Sequence, residues 1–260
     1  LKNHWTVEPR AGIKWQATPK TSFALAYGLH SRMEKMDVYF VKTQGTGDRS
    51  VNKDLGFTRA HHVMLSYGFK ISDNMNMKIE PYFQQLYDVP VIADSSYSVL
   101  NRRDFYVENA LVNRGKGRNI GVDITLERYL NKGLYYMVTA SIFDSKYYGG
   151  DRKWRNTLYN RNFIVNVLGG KEWMVGRDRQ NMFSVNFKIT LQGGDRYAPV
   201  DEVATLLDPD REVQYDETKA FSKQFSPMFI TNFSVGYKIN RKKVSHEFSI
   251  KSLNTTGCEE

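Results

Sequence analysis

The chain has 260 residues, 37 Lys+Arg against 28 Asp+Glu, and a formal charge of +9. Apolar residues make up 41% and charged residues 25%, which suits a folded chain and excludes wholesale disorder. The longest non-polar run, Phe23 to Leu29, falls far short of the ~20 residues of a helical membrane span.

A single cysteine, Cys258, excludes an internal disulfide framework and a Cys-based zinc site. The basic balance on its own suggests an anionic partner. The ends carry neither an initiator Met nor a signal peptide, and residues 254–260 read as a truncated tail. These features predict a fragment of a longer chain.

Period-2 alternation recurs along the sequence, and successive side chains of a strand point to opposite faces. In chain order the predicted strands are 8–17, 22–30, 62–71, 75–87, 119–127, 133–145, 162–175, 183–192, 228–239 and 245–253. In 22–30, Phe23, Leu25, Tyr27 and Leu29 oppose Ala24, Ala26, Gly28 and His30. In 119–127, Ile120, Val122, Ile124 and Leu126 oppose Gly121, Asp123, Thr125 and Glu127. No amphipathic helix is predicted.

The connections alternate in length. Short ones are Thr18 to Lys20, Ser72 to Asn74, Asn131 to Gly133, Arg177 to Gln180 and Asn240 to Lys243. Long ones are roughly 32–57, 88–117, 146–161 and 193–227. Short turns at one end and long loops at the other mark an outer-membrane meander. The fold class read here is all-β: an antiparallel up-and-down transmembrane β-barrel segment of about ten long strands. An incomplete set of strands predicts an open, curved sheet.

The bulky apolar face is assigned to outer-membrane lipid and the small or polar face to a lumen. Trp15, Tyr87, Tyr129, Tyr135, Tyr147, Tyr148, Trp173 and Tyr237 are placed in interfacial girdles. In 163–175, strict parity sends Lys171 to the face of Phe163, Val165 and Val167. A charge there costs about 2–4 kcal/mol at the midplane and about 0–1 near an interface. A bulge at Gly169-Gly170 turns Glu172 outward instead. This end of the strand therefore belongs near or beyond the membrane edge.

Gly115-Lys116-Gly117-Arg118-Asn119-Ile120-Gly121 has the look of a phosphate loop but opens onto a strand rather than a helix. His61 and His62 are adjacent on a strand, so they face apart and share no metal. Asp201, Glu202, Asp208, Asp210, Glu212, Asp216 and Glu217 crowd one loop without calcium-loop spacing, and read as a solvated acidic loop. Loop 194–226 has four basic and eight acidic residues, −4; loop 144–162 has five basic and two acidic, +3. Charges this dispersed argue against nucleic acid. No catalytic, metal or cofactor residue is assigned, and no substrate-binding residue is named.

Several segments resemble the C-terminal barrel of TonB-dependent outer-membrane receptors. They are Glu8-Pro9-Arg10-Ala11-Gly12 leading into Ala26 to Ser31, and Glu80-Pro81-Tyr82 through Val91. Asn113 to Asp123 resembles the family's return strand, with Asp123 where Glu is usual, and Gly193-Gly194-Asp195-Arg196-Tyr197-Ala198-Pro199 resembles another family segment. The resemblance implies residues 1–253 as part of a barrel of about 22 strands, without plug domain or terminal aromatic strand. It implies uptake of a scarce nutrient, whether siderophore, glycan, peptide or cobalamin, with no bond-making step. It implies a TonB complex acting through the missing N-terminal part, a surface lipoprotein as a further partner, a mobile outer rim, and no transport by these residues alone. The alternatives are a small complete channel or adhesin barrel, and an outer-membrane enzyme.

Overall fold

The computed structural model describes residues 5–42, 50–102, 109–210 and 212–257; Cys258 lies outside them. Ten long strands follow one another in one antiparallel sheet. They are β1 (Arg10–Thr18), β2 (Thr21–Arg32), β3 (Thr58–Ser72), β4 (Met75–Val91), β5 (Val112–Asn131) and β6 (Leu134–Tyr148). After the short β7 (Trp154–Asn156), the order continues with β8 (Phe163–Val175) and β9 (Asn181–Gln192). Two-residue strands β10 (Arg196–Tyr197) and β11 (Lys223–Gln224) form a separate ribbon in the last long loop. β12 (Met228–Asn240) and β13 (Ser245–Ser252) complete the sheet. Among the described residues, β1 and β13 are its two unpaired ends, so the sheet is open. Closure of strand one onto strand ten, which a complete small barrel requires, is not seen there.

The turns are built from local chemistry. Lys132 and Gly133 both adopt positive φ, 50° and 76°, as a two-residue hairpin turn compatible with sheet twist demands. Gly133 is needed for a second reason: a Cβ there would lie 2.2 Å from the Glu172 carbonyl oxygen. Short helices α1 (Met36–Tyr39) and α2 (Glu202–Leu207) lie in the long loops.

β4 and β5 run further than alternation predicts, to Val91 and from Val112, with register shifts around Val89. Asp88, at φ 56°, marks the irregularity. Beyond it Val89 and Val91 are fully buried. Gly115 makes this possible, because a Cβ there would come within 2.5 Å of Val91 Cγ1. The Gly115-Lys116-Gly117 segment is therefore strand, not loop.

The two faces of the sheet differ as predicted. Ile13, Leu25 and Leu65 pair across β1 to β3, Ile79 pairs with Ile124 across β4 and β5, and Val138, Val167 and Ile189 pair across β6 to β9, all on one face. That face is uncovered: Ile13 is 69% exposed, Ile120 51% and Ile142 58%. Among the described residues, no second layer packs on it. On β5 the band runs between Arg118 and Arg128, ten steps of about 3.4 Å. Tilted by about 45°, the two arginines stand about 24 Å apart in height, and the apolar positions between them, Ile120 to Leu126, cover about 14 Å; outer-membrane barrels carry an apolar band of ~25 Å.

β8 pairs with β6 and β9 without a register shift, so no bulge forms at Gly169-Gly170. Lys171 keeps the apolar-face parity and donates to the Lys132 carbonyl at 2.7 Å, beside the β5–β6 turn. It thus sits at the edge of the wall, where an outward charge is cheap.

Candidate functional site: a polar wall under interlocked loops

The polar face carries side-chain hydrogen bonds from strand to strand. Near the loop end, the His30 and His62 rings lie 4.7 Å apart. His62 Nε2 meets the Gln84 amide at 2.6 Å, and Asn119 donates to Gln84 Oε1. Ser145 Oγ donates to Asn119 Oδ1 at 2.6 Å, and Thr157 Oγ1 donates to Ser145 Oγ at 2.9 Å. Asn160 accepts the Ser145 N–H, and Arg196 Nε donates to the Asn160 carbonyl at 2.8 Å. This row crosses from β2 to β6 and enters the loops. Lower down, Tyr135 donates to Asn186 at 2.8 Å, and Asn186 donates to Ser234 at 3.2 Å.

Among the described residues, a compact apolar cluster lies in the loops. Val38, Tyr39, Val41, Leu55 and Leu111 form it, with Val51, Ile92, Tyr97 and Val99 packed against it. Asn52, 1% exposed, fastens the first two loops together. Its amide donates to the Val38 and Asn109 carbonyls at 3.0 Å and accepts the Leu111 N–H at 2.8 Å. Arg102 pairs with Asp37 across the same junction. The third loop joins through Leu158 N to Asn101 Oδ1 at 2.9 Å and Asp151 N to the Ser95 carbonyl at 3.1 Å. The fourth joins through Arg196, the Ser95–Glu217 hydrogen bond at 3.2 Å, and Phe221 edge-on to the buried Tyr147. The described loop residues thus form one packed cap.

Electrostatics tighten the cap. Two hydrogen bonds from Arg155, at 2.9 and 2.5 Å, hold the Asp151 carboxyl below the usual carboxylate range. Hydrogen bonding to Arg102 does the same for Asp37. Asp216 is drawn down to about 2 by hydrogen bonds from Lys219 and Thr218.

Three acidic residues of the fourth loop, Asp201, Asp208 and Asp216, hold local backbone. Asp201 caps α2 by accepting the Ala204 N–H at 3.0 Å. Asp208 accepts the Asp210 and Glu212 N–H groups, and Asp216 accepts that of Thr218. Capping uses short polar side chains to satisfy backbone donors that turns leave free. Among the described residues, no three His, Cys, Asp or Glu side chains converge as metal ligands do. His61 and His62 face apart: His61 stacks between Tyr27 and Tyr87, whereas His62 joins the polar row.

The girdle assignment needs correcting at three positions. Trp15 stacks on Phe23, Trp173 packs on Phe183, and Tyr87 lies over His61, all on the apolar face. Tyr237 and Tyr148 share its parity. Tyr129 and Tyr135 instead have polar-face parity, bonding Asn76 and Asn186. Tyr147 is fully buried beneath the loops. Residue type placed these tyrosines near strand ends, but only register decides the face.

The residues that knit the polar row and cap, Gln84, Asn119, Ser145, Asn160 and Asn52, carry no signal of that role in the sequence. Each is an ordinary polar residue alone; only cross-strand register brings them together.

A single-layer antiparallel wall with an uncovered apolar face and a hydrogen-bonded polar face is the architecture of a membrane β-barrel. Solved structures carry the same fold. The ferric-catecholate import receptor Fiu of E. coli K12 matches with a TM-score of 0.61 at 11% identity, over 95% of this chain and 30% of the receptor. P. aeruginosa FpvA, bound to heterologous pyoverdines, matches at 0.64 and 11%, over 96% and 29%. The outer membrane transporter YddB of Escherichia coli matches at 0.61 and 10%, over 94% and 36%. The chain therefore has the fold of a stretch of outer-membrane receptor barrel and spans about a third of the length of these structures. No family model and no curated protein matches the sequence.

Proposed function

We propose that this chain is barrel wall and outer-loop cap of a TonB-dependent outer-membrane receptor that takes up a scarce nutrient. The observation that carries the reading is the pairing of faces on one sheet. An uncovered apolar band, bracketed on β5 by Arg118 and Arg128 about 24 Å apart in height, is matched to hydrocarbon, and the polar row behind it to a wet or plugged lumen. The sequence segments that resemble this family fall on β1–β2, β4, β5 and on β10 with its flanking residues.

The chain contributes wall, loops and hydrogen-bonding surface, with no bond-making step. In the parent receptor the TonB complex supplies energy through a part outside this wall. Fiu is a ferric-catecholate import receptor and FpvA is bound to pyoverdine with iron, which supports a ferric chelate as the first nutrient class to test. The test is uptake of labelled ferric chelates by cells with the full-length gene intact or deleted, with and without a protonophore. Energised uptake that disappears on deletion supports the reading. Equal uptake across a panel of ferric chelates, glycans, peptides and cobalamin in both strains contradicts it.

A further inference from the structure

We infer that the outward face of β5 and β6, just above the apolar band, is a binding site for the phosphate-bearing headgroup of a membrane lipid. The inference rests on the membrane reading above. Arg118 and Lys116 alternate outward on β5 directly beyond Ile120, and both are exposed. With a rise of about 3.4 Å per residue and a tilt of about 45°, Arg118 stands about 5 Å and Lys116 about 10 Å above Ile120. A headgroup layer is about 5–8 Å thick on each side of the hydrocarbon. Arg118 lies in it, and Lys116 reaches it with its side chain.

Register adds a second argument. Arg118 lies directly opposite Lys146 on β6. Like charges placed opposite each other in a sheet are unfavourable. Asp144 pairs with Lys146 at 3.3 Å. The remaining excess is positive and faces outward.

The aromatic partners complete the site. The Arg118 guanidinium lies 5.4 Å from the Trp154 ring centroid, and the Lys116 ammonium lies 5.8 Å from that of Tyr148. Tyr148 and Trp154 also pack together at 5.5 Å. Rings beneath the cations hold them in place without neutralising them, so their hydrogen-bond donors stay available to a phosphate. Indole and phenol rings are themselves suited to the interface between hydrocarbon and headgroup. On β6 and β7, Asp144 is the acidic side chain nearest the cations on this face, and it is already paired.

The experiment uses the full-length receptor polypeptide reconstituted in phosphatidylcholine vesicles, with and without phosphatidic acid. Lipid retained after detergent washing is counted per protein, and heat-resistant migration reports a folded barrel. Phosphatidic acid should be enriched around the wild type. The K116Q/R118Q double variant should reduce that enrichment by about five-fold for each cation removed. K116R/R118K should restore most of it, and K78Q on the polar face should leave it unchanged. Inorganic phosphate in the buffer should not compete at millimolar concentration if the lipid is the occupant; competition would overturn the lipid assignment. A folded double variant that retains phosphatidic acid as well as the wild type also overturns the inference. Failure of the wild type to insert would instead count against the membrane reading.

Discussion

Asn52 and Leu111, 59 residues apart, are joined by the Leu111 backbone N–H donating to Asn52 Oδ1 at 2.8 Å. The same amide donates to two carbonyls, so one buried side chain satisfies three backbone groups. Replacing it leaves a buried donor and two acceptors without partners. Asn52→Ala should weaken the cap by roughly 2–3 kcal/mol. Limited proteolysis of the receptor in outer membranes should then cut within 33–57 and 109–111 at rates well above wild type, while the wall stays protected.

Gly150 tests the packing between the second and third loops. A Cβ there would lie 1.9 Å from the Ile92 carbonyl oxygen, which is backbone and cannot swing aside. Gly150→Ala should separate the two loops at a cost of about 1–3 kcal/mol. Hydrogen exchange should rise at Asp151, whose N–H donates to the Ser95 carbonyl, and stay unchanged at β9.

Acid should loosen the same junction. Asp151 has a folded-state pKa below its ordinary 3.8, because Arg155 bonds its charged form. A depressed carboxyl contributes stability that is fully present above the unfolded value and lost as pH falls through the folded value. Cap protection against protease should therefore hold at neutral pH and decline below about pH 4. In Asp151→Asn it should be weak at neutral pH and change less on acidification.

Charge placed on the two faces should separate them. Ile124→Lys puts an ammonium at the middle of the apolar band and should destabilise the inserted barrel by about 2–4 kcal/mol. Thr125→Lys, one residue on, faces the polar side between Lys78 and Thr139 partners and should cost much less. Denaturant unfolding in detergent or vesicles measures both.

Much of this was legible in the residues. Phe23-Leu25-Tyr27-Leu29 and Ile120-Val122-Ile124-Leu126 declare their strands because lipid demands apolar side chains at every second position. That demand ends at the membrane edge. Above Ile120 the outward positions become Arg118 and Lys116, and alternation stops signalling strand although β5 continues to Val112. The core of Val38, Tyr39, Val41, Leu55 and Leu111 follows no period, because loop residues packing from two segments need none. The polar row was hidden for a different reason. Gln84, Asn119 and Ser145 meet only through the register of three strands, and single-strand periodicity does not contain it.

The face assignment of β5 tests the account most directly. Single cysteines would be placed at 120 and at 122 to 126 in an otherwise cysteine-free full-length receptor, in intact outer membranes, and treated with a charged, membrane-impermeant maleimide. Positions 123 and 125 should label, and 120, 122, 124 and 126 should stay protected until detergent is added. Equal labelling of both sets, or protection of the odd set alone, would contradict a lipid-facing apolar band on this wall.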